Sequence, residues 1–204
     1  MKTVYICGDS FNTPDPEYGA CWVDLLSNDI IVVNLSQVSS TNLLISRQID
    51  VALAAHPDFI IVSFTSCTRG EKRHNNQLVP FSYHTASTTT TPFDQTDLDC
   101  LKNYFTRFFD LELSIYQNSI TIAHTLHKLV TANIPFLFDQ GGFEHASYCS
   151  QPTRYFQQFD QYRSGISIWD YAGSRDYRPY FHITDSAISK KISDYYNTEI
   201  KQHA

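Results

Sequence analysis

The chain has 204 residues, 42% of them hydrophobic and 18% charged, with a formal net charge of −6, enough for one domain that buries roughly two thirds of its unfolded surface. An acidic balance disfavours nucleic acid and anionic membranes as partners, because both are themselves polyanions. Five cysteines (Cys7, Cys21, Cys67, Cys100, Cys149), odd in number, widely spaced and without a C-x-x-C pair, exclude a disulfide framework and a zinc ribbon and fit a reducing compartment.

The N-terminal "MKTVYICGDS" holds only a short apolar run, well below a signal peptide's hydrophobic segment or a membrane span. It reads as the start of a soluble, cytoplasmic or otherwise unsecreted protein. Apolar runs rich in β-branched and aromatic residues follow at 3–7 (TVYIC), 29–35 (DIIVVNL), 58–64 (DFIIVSF) and 134–139 (IPFLFD). They are too short for helices, and their continuous rather than alternating character predicts strands of a parallel sheet covered on both faces. Segments of helical length separate or follow them at about 18–27, 40–56, 96–133 and 184–202. This alternation predicts a three-layer α/β domain spanning 1–204.

Thr96 with Asp97 and Asp99, and Thr184 with Asp185, have the composition of helix N-caps with acidic first turns. Within 96–133, Leu101, Tyr104, Phe105, Phe108, Leu111 and Ile115 recur at three- and four-residue steps, which predicts one long helix with an apolar core face. Two stretches break the pattern. Residues 69–95 are polar, with a Ser/Thr run and two prolines, and read as a lid or mobile loop. Residues 140–180 are irregular and aromatic-rich, and their rings either pack the insertion or stack on a sugar or acyl group. Both follow strand ends, where open α/β sheets bind ligands.

Ser10 directly follows the first strand in Gly8-Asp9-Ser10, a placement that exposes a nucleophile above the sheet near backbone N–H donors. The Gly-x-Ser-x-Gly elbow of α/β-hydrolases is absent. His182 stands just before the last helix, where an imidazole can reach the end of the first strand. Gly8-Asp9-Ser10 early and His182 late resemble the first and last blocks of the SGNH hydrolases, the GDSL esterase and lipase superfamily.

That resemblance implies a flavodoxin-like parallel sheet of about five strands and a serine esterase acting without a cofactor or metal on a small-molecule ester. A carbohydrate O-acetyl group is one candidate substrate. Ser10 is then the nucleophile and an oxyanion donor through its own N–H. Ser39 occupies the place of the second block's glycine, and its N–H remains available because every residue except proline has one. Thr65, Ser66, Cys67 and Thr68 overlie the third block's Gly-x-Asn-Asp, so the asparagine donor is lost. Losing such a donor costs about 10²–10³ in rate. Ser66 or Thr68 supplies a replacement hydroxyl, or Arg69 a charged donor or anion grip; Arg69 and Glu71 are the expected substrate-binding pair.

The usual Asp-x-x-His is also altered, with Pro179 three residues before His182 and Asp176 six before it. The imidazole is oriented by Asp176, by no acid, or by Asp185, in that order of preference. The missing asparagine and displaced aspartate also leave room for a degenerate member that binds a ligand or protein without turnover.

The other polar residues have plainer readings. Asp9 either fixes its turn through backbone N–H groups or tunes the nucleophile. Cys67 reads as a small buried hydrophobe. His124 and His127 could share a helix face but lack a third metal ligand. Asp139, Glu144 and His145 either line the site floor or shape a turn.

Overall fold

The computed structural model describes residues 1–14, 21–74, 76–82, 93–141, 155, 157–168, 183 and 185–204. Four of the apolar runs form a parallel sheet: β1 (Lys2–Cys7), β2 (Ile30–Asn34), β3 (Phe59–Ser63) and β6 (Phe136–Asp139). Their order is β2-β1-β3-β6. The chain therefore moves from β1 to one side, recrosses it, and continues on the other. The C-terminal ends of β1 and β3 flank this reversal, where a crevice opens in doubly wound sheets. Beyond β6, Arg163 makes one parallel bridge to Phe138, and the Ser164 N–H donates to the Phe138 carbonyl at 2.8 Å. A further strand position is thus marked by a single pairing.

Side-chain alternation divides the core into two layers. On one face Cys7, Ile60, Val62 and Phe138 pack against Ile45 and Ile49 of α1 (Asn42–Ala54) and Ile122 and Leu126 of α3 (Leu111–Ala132). On the other, Val4, Ile6, Phe59 and Ile61 meet Trp22, from the 3₁₀ turn Trp22–Leu25, and Ile192 and Tyr196 of α4 (Ser186–His203). Trp22 and Tyr196 stack with ring centroids 4.8 Å apart. The sheet is covered on both sides, which explains why its strands read as continuous apolar runs. No helix among the described residues is long and apolar enough to cross a membrane.

Several expectations require correction. Residues 69–82 are no irregular loop: β4 (Arg69–His74) and β5 (Gln77–Ser82) form an antiparallel hairpin. Asn76 supplies the left-handed turn conformation at φ 64°. The Phe81 ring lies over its cross-strand partner Gly70, 2.8 Å from where a Cβ would stand. Val79 and Phe81 pack with Phe93, Leu98 and Leu101 in a small separate core, which ties the hairpin to α2 (Gln95–Asn103).

The predicted 96–133 helix is broken. α2 runs into a π-helical turn at Tyr104–Phe108, closed by the Phe109 N–H on the Tyr104 carbonyl at 2.8 Å, and α3 then starts afresh at the Asp110 cap. Phe108 is 74% exposed rather than core. The cap of α2 is Asp94, whose carboxylate accepts from the Asp97 N–H at 2.8 Å, two residues before the Thr96 cap expected. Asp185 caps α4, accepting from Ala187 N at 2.8 Å; Thr184 lies outside the described residues. Of the helix expected at 18–27, residues 21–27 hold only the Trp22–Leu25 turn.

Candidate active site

The chain leaves β1 through Gly8 and enters a one-turn 3₁₀ helix, Ser10–Asn12, capped by the Asp9 carboxylate on the Phe11 N–H. Gly8 is required there. A Cβ would stand 2.2 Å from Asn12 Nδ2 and 3.1 Å from the Ser63 carbonyl oxygen. Ser10 therefore sits at the sheet's C-terminal rim, beside the topological reversal. It is 8% exposed, and its Oγ makes no hydrogen bond among the described residues.

Asp9 serves the turn rather than the solvent. It is completely buried, and its Oδ2 accepts from Thr65 Oγ1 at 2.7 Å and Arg69 Nη1 at 3.1 Å while Oδ1 takes the Phe11 N–H. A carboxylate held by three donors is a fixed brace between the first and third strand ends.

Gln48 makes a second brace. Its Oε1 accepts from Gly8 N at 2.7 Å, and its Nε2 donates to Gly8 O and Ser40 Oγ, both at 3.1 Å. This residue was missed from the sequence, although a signal existed: it is a polar residue within the apolar stripe Ile45, Ile49, Ala52 on α1.

Ser39 adopts φ 64° in the Ser36–Ser40 loop, a left-handed conformation usual for glycine and uncommon for serine. The serine expected at the second block's glycine thus has a conformation natural to glycine. Among the described residues its N–H has no hydrogen-bond partner.

The third-block segment leaves β3 through Phe64. Ser66 Oγ pairs with Thr68 Oγ1 at 2.9 Å and accepts from Thr68 N at 3.2 Å. Cys67, at the asparagine position, is buried with its carbonyl accepting from Ser114 Oγ. The nearby amide of Asn42 is committed, since it exchanges bonds of 2.9 Å with the Thr65 backbone and donates to Asn118.

Arg69 and Glu71 leave this corner on β4 and line a cleft of about 230 Å³. Arg69 Nη1 also donates to the Ser40 carbonyl at 3.0 Å, which joins the Ser39 loop to Asp9. Glu71 accepts from the Thr41 hydroxyl, and the same hydroxyl caps α1 through Leu44 N. Burial pushes the Glu71 carboxyl above its ordinary range, partly offset by the positive charge of Arg47. The cleft's aromatic lining, Phe81, Tyr104, Phe105 and Phe109, went unrecognised because the sequence pattern placed Tyr104 and Phe105 on a core face.

Asp139 ends β6 and shapes the following turn, with Oδ1 accepting from Gly141 N at 3.0 Å and Oδ2 from Ile168 N at 2.9 Å. His124 and His127 are both exposed; the His127 ring packs T-shaped with Phe159, centroids 4.9 Å apart, and meets Gln158 Nε2. His182, Asp176, Glu144 and His145 lie outside the described residues.

No protein-family model matches the sequence, and no curated protein matches it. Solved structures do. The psychrotrophic esterase EstA from Pseudoalteromonas sp., in a form inhibited by monoethylphosphonate, superposes with a TM-score of 0.57 at 16% identity, covering 99% of this chain and 98% of that one. TesA gives 0.55 at 14% identity with full coverage of both chains. The acetyl xylan esterase AlAXEase gives 0.55 at 11% identity, covering 97% and 98%. The chain shares the α/β fold of these three structures.

Proposed function

We propose that the protein is a serine esterase acting on a small ester, with a carbohydrate O-acetyl group as the specific substrate class. The observation that carries this reading is the Ser10 hydroxyl, free of hydrogen bonds among the described residues and seated at the switch point between β1 and β3.

In the proposed reaction His182 takes the Ser10 proton as the oxygen attacks the ester carbonyl. The backbone N–H groups of Ser10 and Ser39 receive the negative charge that develops on the carbonyl oxygen. Collapse of the tetrahedral intermediate breaks the ester C–O bond, and His182 returns the proton to the departing alcohol. Water, deprotonated by the same imidazole, then hydrolyses the acyl-serine. Asp176 orients the imidazole in this scheme, the Ser66–Thr68 hydroxyl pair is the candidate third oxyanion donor, and Arg69 and Glu71 bind the substrate. The left-handed Ser39 supports the oxyanion assignment, because a glycine-like φ is kept at the position where the family has glycine. The fold shared with EstA and AlAXEase supports the reaction class.

The test is p-nitrophenyl acetate hydrolysis by wild type, Ser10→Ala and His182→Ala, together with mass-spectrometric mapping of a phosphonate label. Turnover should fall about 10³-fold or more in each variant, and the label should map to Ser10. Equal rates in wild type and Ser10→Ala would refute the assignment. One observation favours the alternative of a non-catalytic ligand-binding protein: buried Cys67 replaces the side-chain oxyanion donor. That alternative requires an unlabelled Ser10 in a protein that still binds ligand.

A further inference from the structure

The cleft that begins at Arg69 divides by chemistry. The hairpin and the π-helical turn supply Phe81, Tyr104, Phe105 and Phe109, locked edge to face or tilted with ring centroids 5.3 to 6.2 Å apart. The remaining lining carries a guanidinium (Arg69), a carboxylate (Glu71) and two amides (Gln117, Asn118). Tyr104 is 41% exposed, so a large part of its ring is open to a ligand. A π-helical turn widens the backbone and is frequent at functional sites; here it carries successive aromatics into one wall.

Few ligand classes satisfy both halves. An acyl chain would cover the rings but would also set the Gln117 amide and the unused hydrogen-bonding capacity of Glu71 and Arg69, whose partners are Thr41, Asp9 and Ser40, against hydrocarbon. A phosphate would meet Glu71, and Arg69 is already bound to the Asp9 carboxylate. A polyol ring offers C–H faces to the aromatics and a rim of hydroxyls, each both donor and acceptor, to the polar groups. At about 230 Å³ the cleft falls below the roughly 300–1,000 Å³ of drug-sized sites, which suits one sugar unit.

We infer that the cleft between the β4–β5 hairpin, the Tyr104–Phe108 turn and α3 is a pyranose-binding site that holds the alcohol portion of the ester. The catalytic consequence rests on the esterase reading, whereas the binding does not. Arg69 connects the two places physically, lining the cleft and donating to Asp9, the residue before Ser10.

The experiment is saturation-transfer NMR on Ser10→Ala protein with methyl β-glucopyranoside and methyl β-xylopyranoside, and with octanoate as the acyl-chain competitor. Ring C–H protons of at least one glycoside should receive saturation, and octanoate should not displace it. Tyr104→Ala and Gln117→Ala, both at exposed positions, should each weaken binding about fivefold or more. The Gln117 variant keeps the test decisive should the aromatic variant misfold. Absence of saturation at both glycosides, displacement by octanoate, or binding unchanged in a folded variant overturns the inference. Wild-type hydrolysis of p-nitrophenyl acetate separates the two readings: glycoside binding without turnover sinks the esterase and keeps the sugar site, and turnover without glycoside binding does the reverse.

Discussion

Arg69 Nη1 lies 3.1 Å from Asp9 Oδ2, which joins the first residue of the inserted hairpin to the residue before the candidate nucleophile. Asp9 is fully buried and the Arg69 side chain is 21% exposed. Removing one partner of a buried pair costs about 3–5 kcal/mol because the other charge is stranded. Water reaching Arg69 and the Thr65 and Phe11 donors reduce that cost. Arg69→Ala should therefore lower stability by about 2–3 kcal/mol, read as a shifted urea midpoint at unchanged slope. Hydrolysis should fall with it, since the Ser10 turn loses its brace.

Gly8→Ala tests the packing under Ser10. The new methyl would press on Asn12 Nδ2, a buried amide nitrogen with no hydrogen-bond partner among the described residues. Overpacking of this kind costs about 1–3 kcal/mol. Combining it with Asn12→Ala should recover part of the loss, and a double-mutant cycle on melting data measures the coupling. Strict additivity would show that the two side chains do not compete for this space.

Ser39 separates backbone from side chain. Ser39→Gly should retain activity, because the φ of 64° is natural to glycine and the N–H persists. Ser39→Pro removes the N–H and fixes φ near −65°. It should reduce kcat about 10²-fold or more if that N–H faces the oxyanion. Steady-state kinetics on the two variants decide it.

Glu71 gives a pH dependence with a defined sign. Its folded-state pKa is raised above 4.5 by burial, so the native chain holds a proton that the unfolded chain releases. Its contribution to stability is fully present below 4.5 and is lost as pH rises through the folded-state pKa. Glu71→Gln removes this term, so its melting temperature should gain on wild type between acid and neutral pH. A constant difference across that range would contradict the assignment.

The four strands of the sheet were legible because burial on both faces demands continuous apolar runs, and Phe59–Ser63 is buried at every position. The hairpin was not. Its residues Arg69–His74 are polar, and its apolar contacts are made to α2 rather than to the main core, so no strand period appears. The helix break was partly legible, since Asp110 before Leu111 and Glu112 has cap composition. The aromatic run hid it by continuing the three- and four-residue spacing across the π-helical turn.

Local chemistry in the chain was enough to establish a three-layer parallel α/β fold and a serine at the end of its first strand, because backbone period and turn composition act over a few residues. The union of Asp9 with Thr65 and Arg69, the clamp of Gln48 on Gly8, and the gathering of Phe81 with Tyr104 and Phe105 belong to the tertiary structure alone. Those contacts join residues 23 to 60 positions apart. Their geometry depends on strand order and helix packing, which no short stretch of sequence encodes.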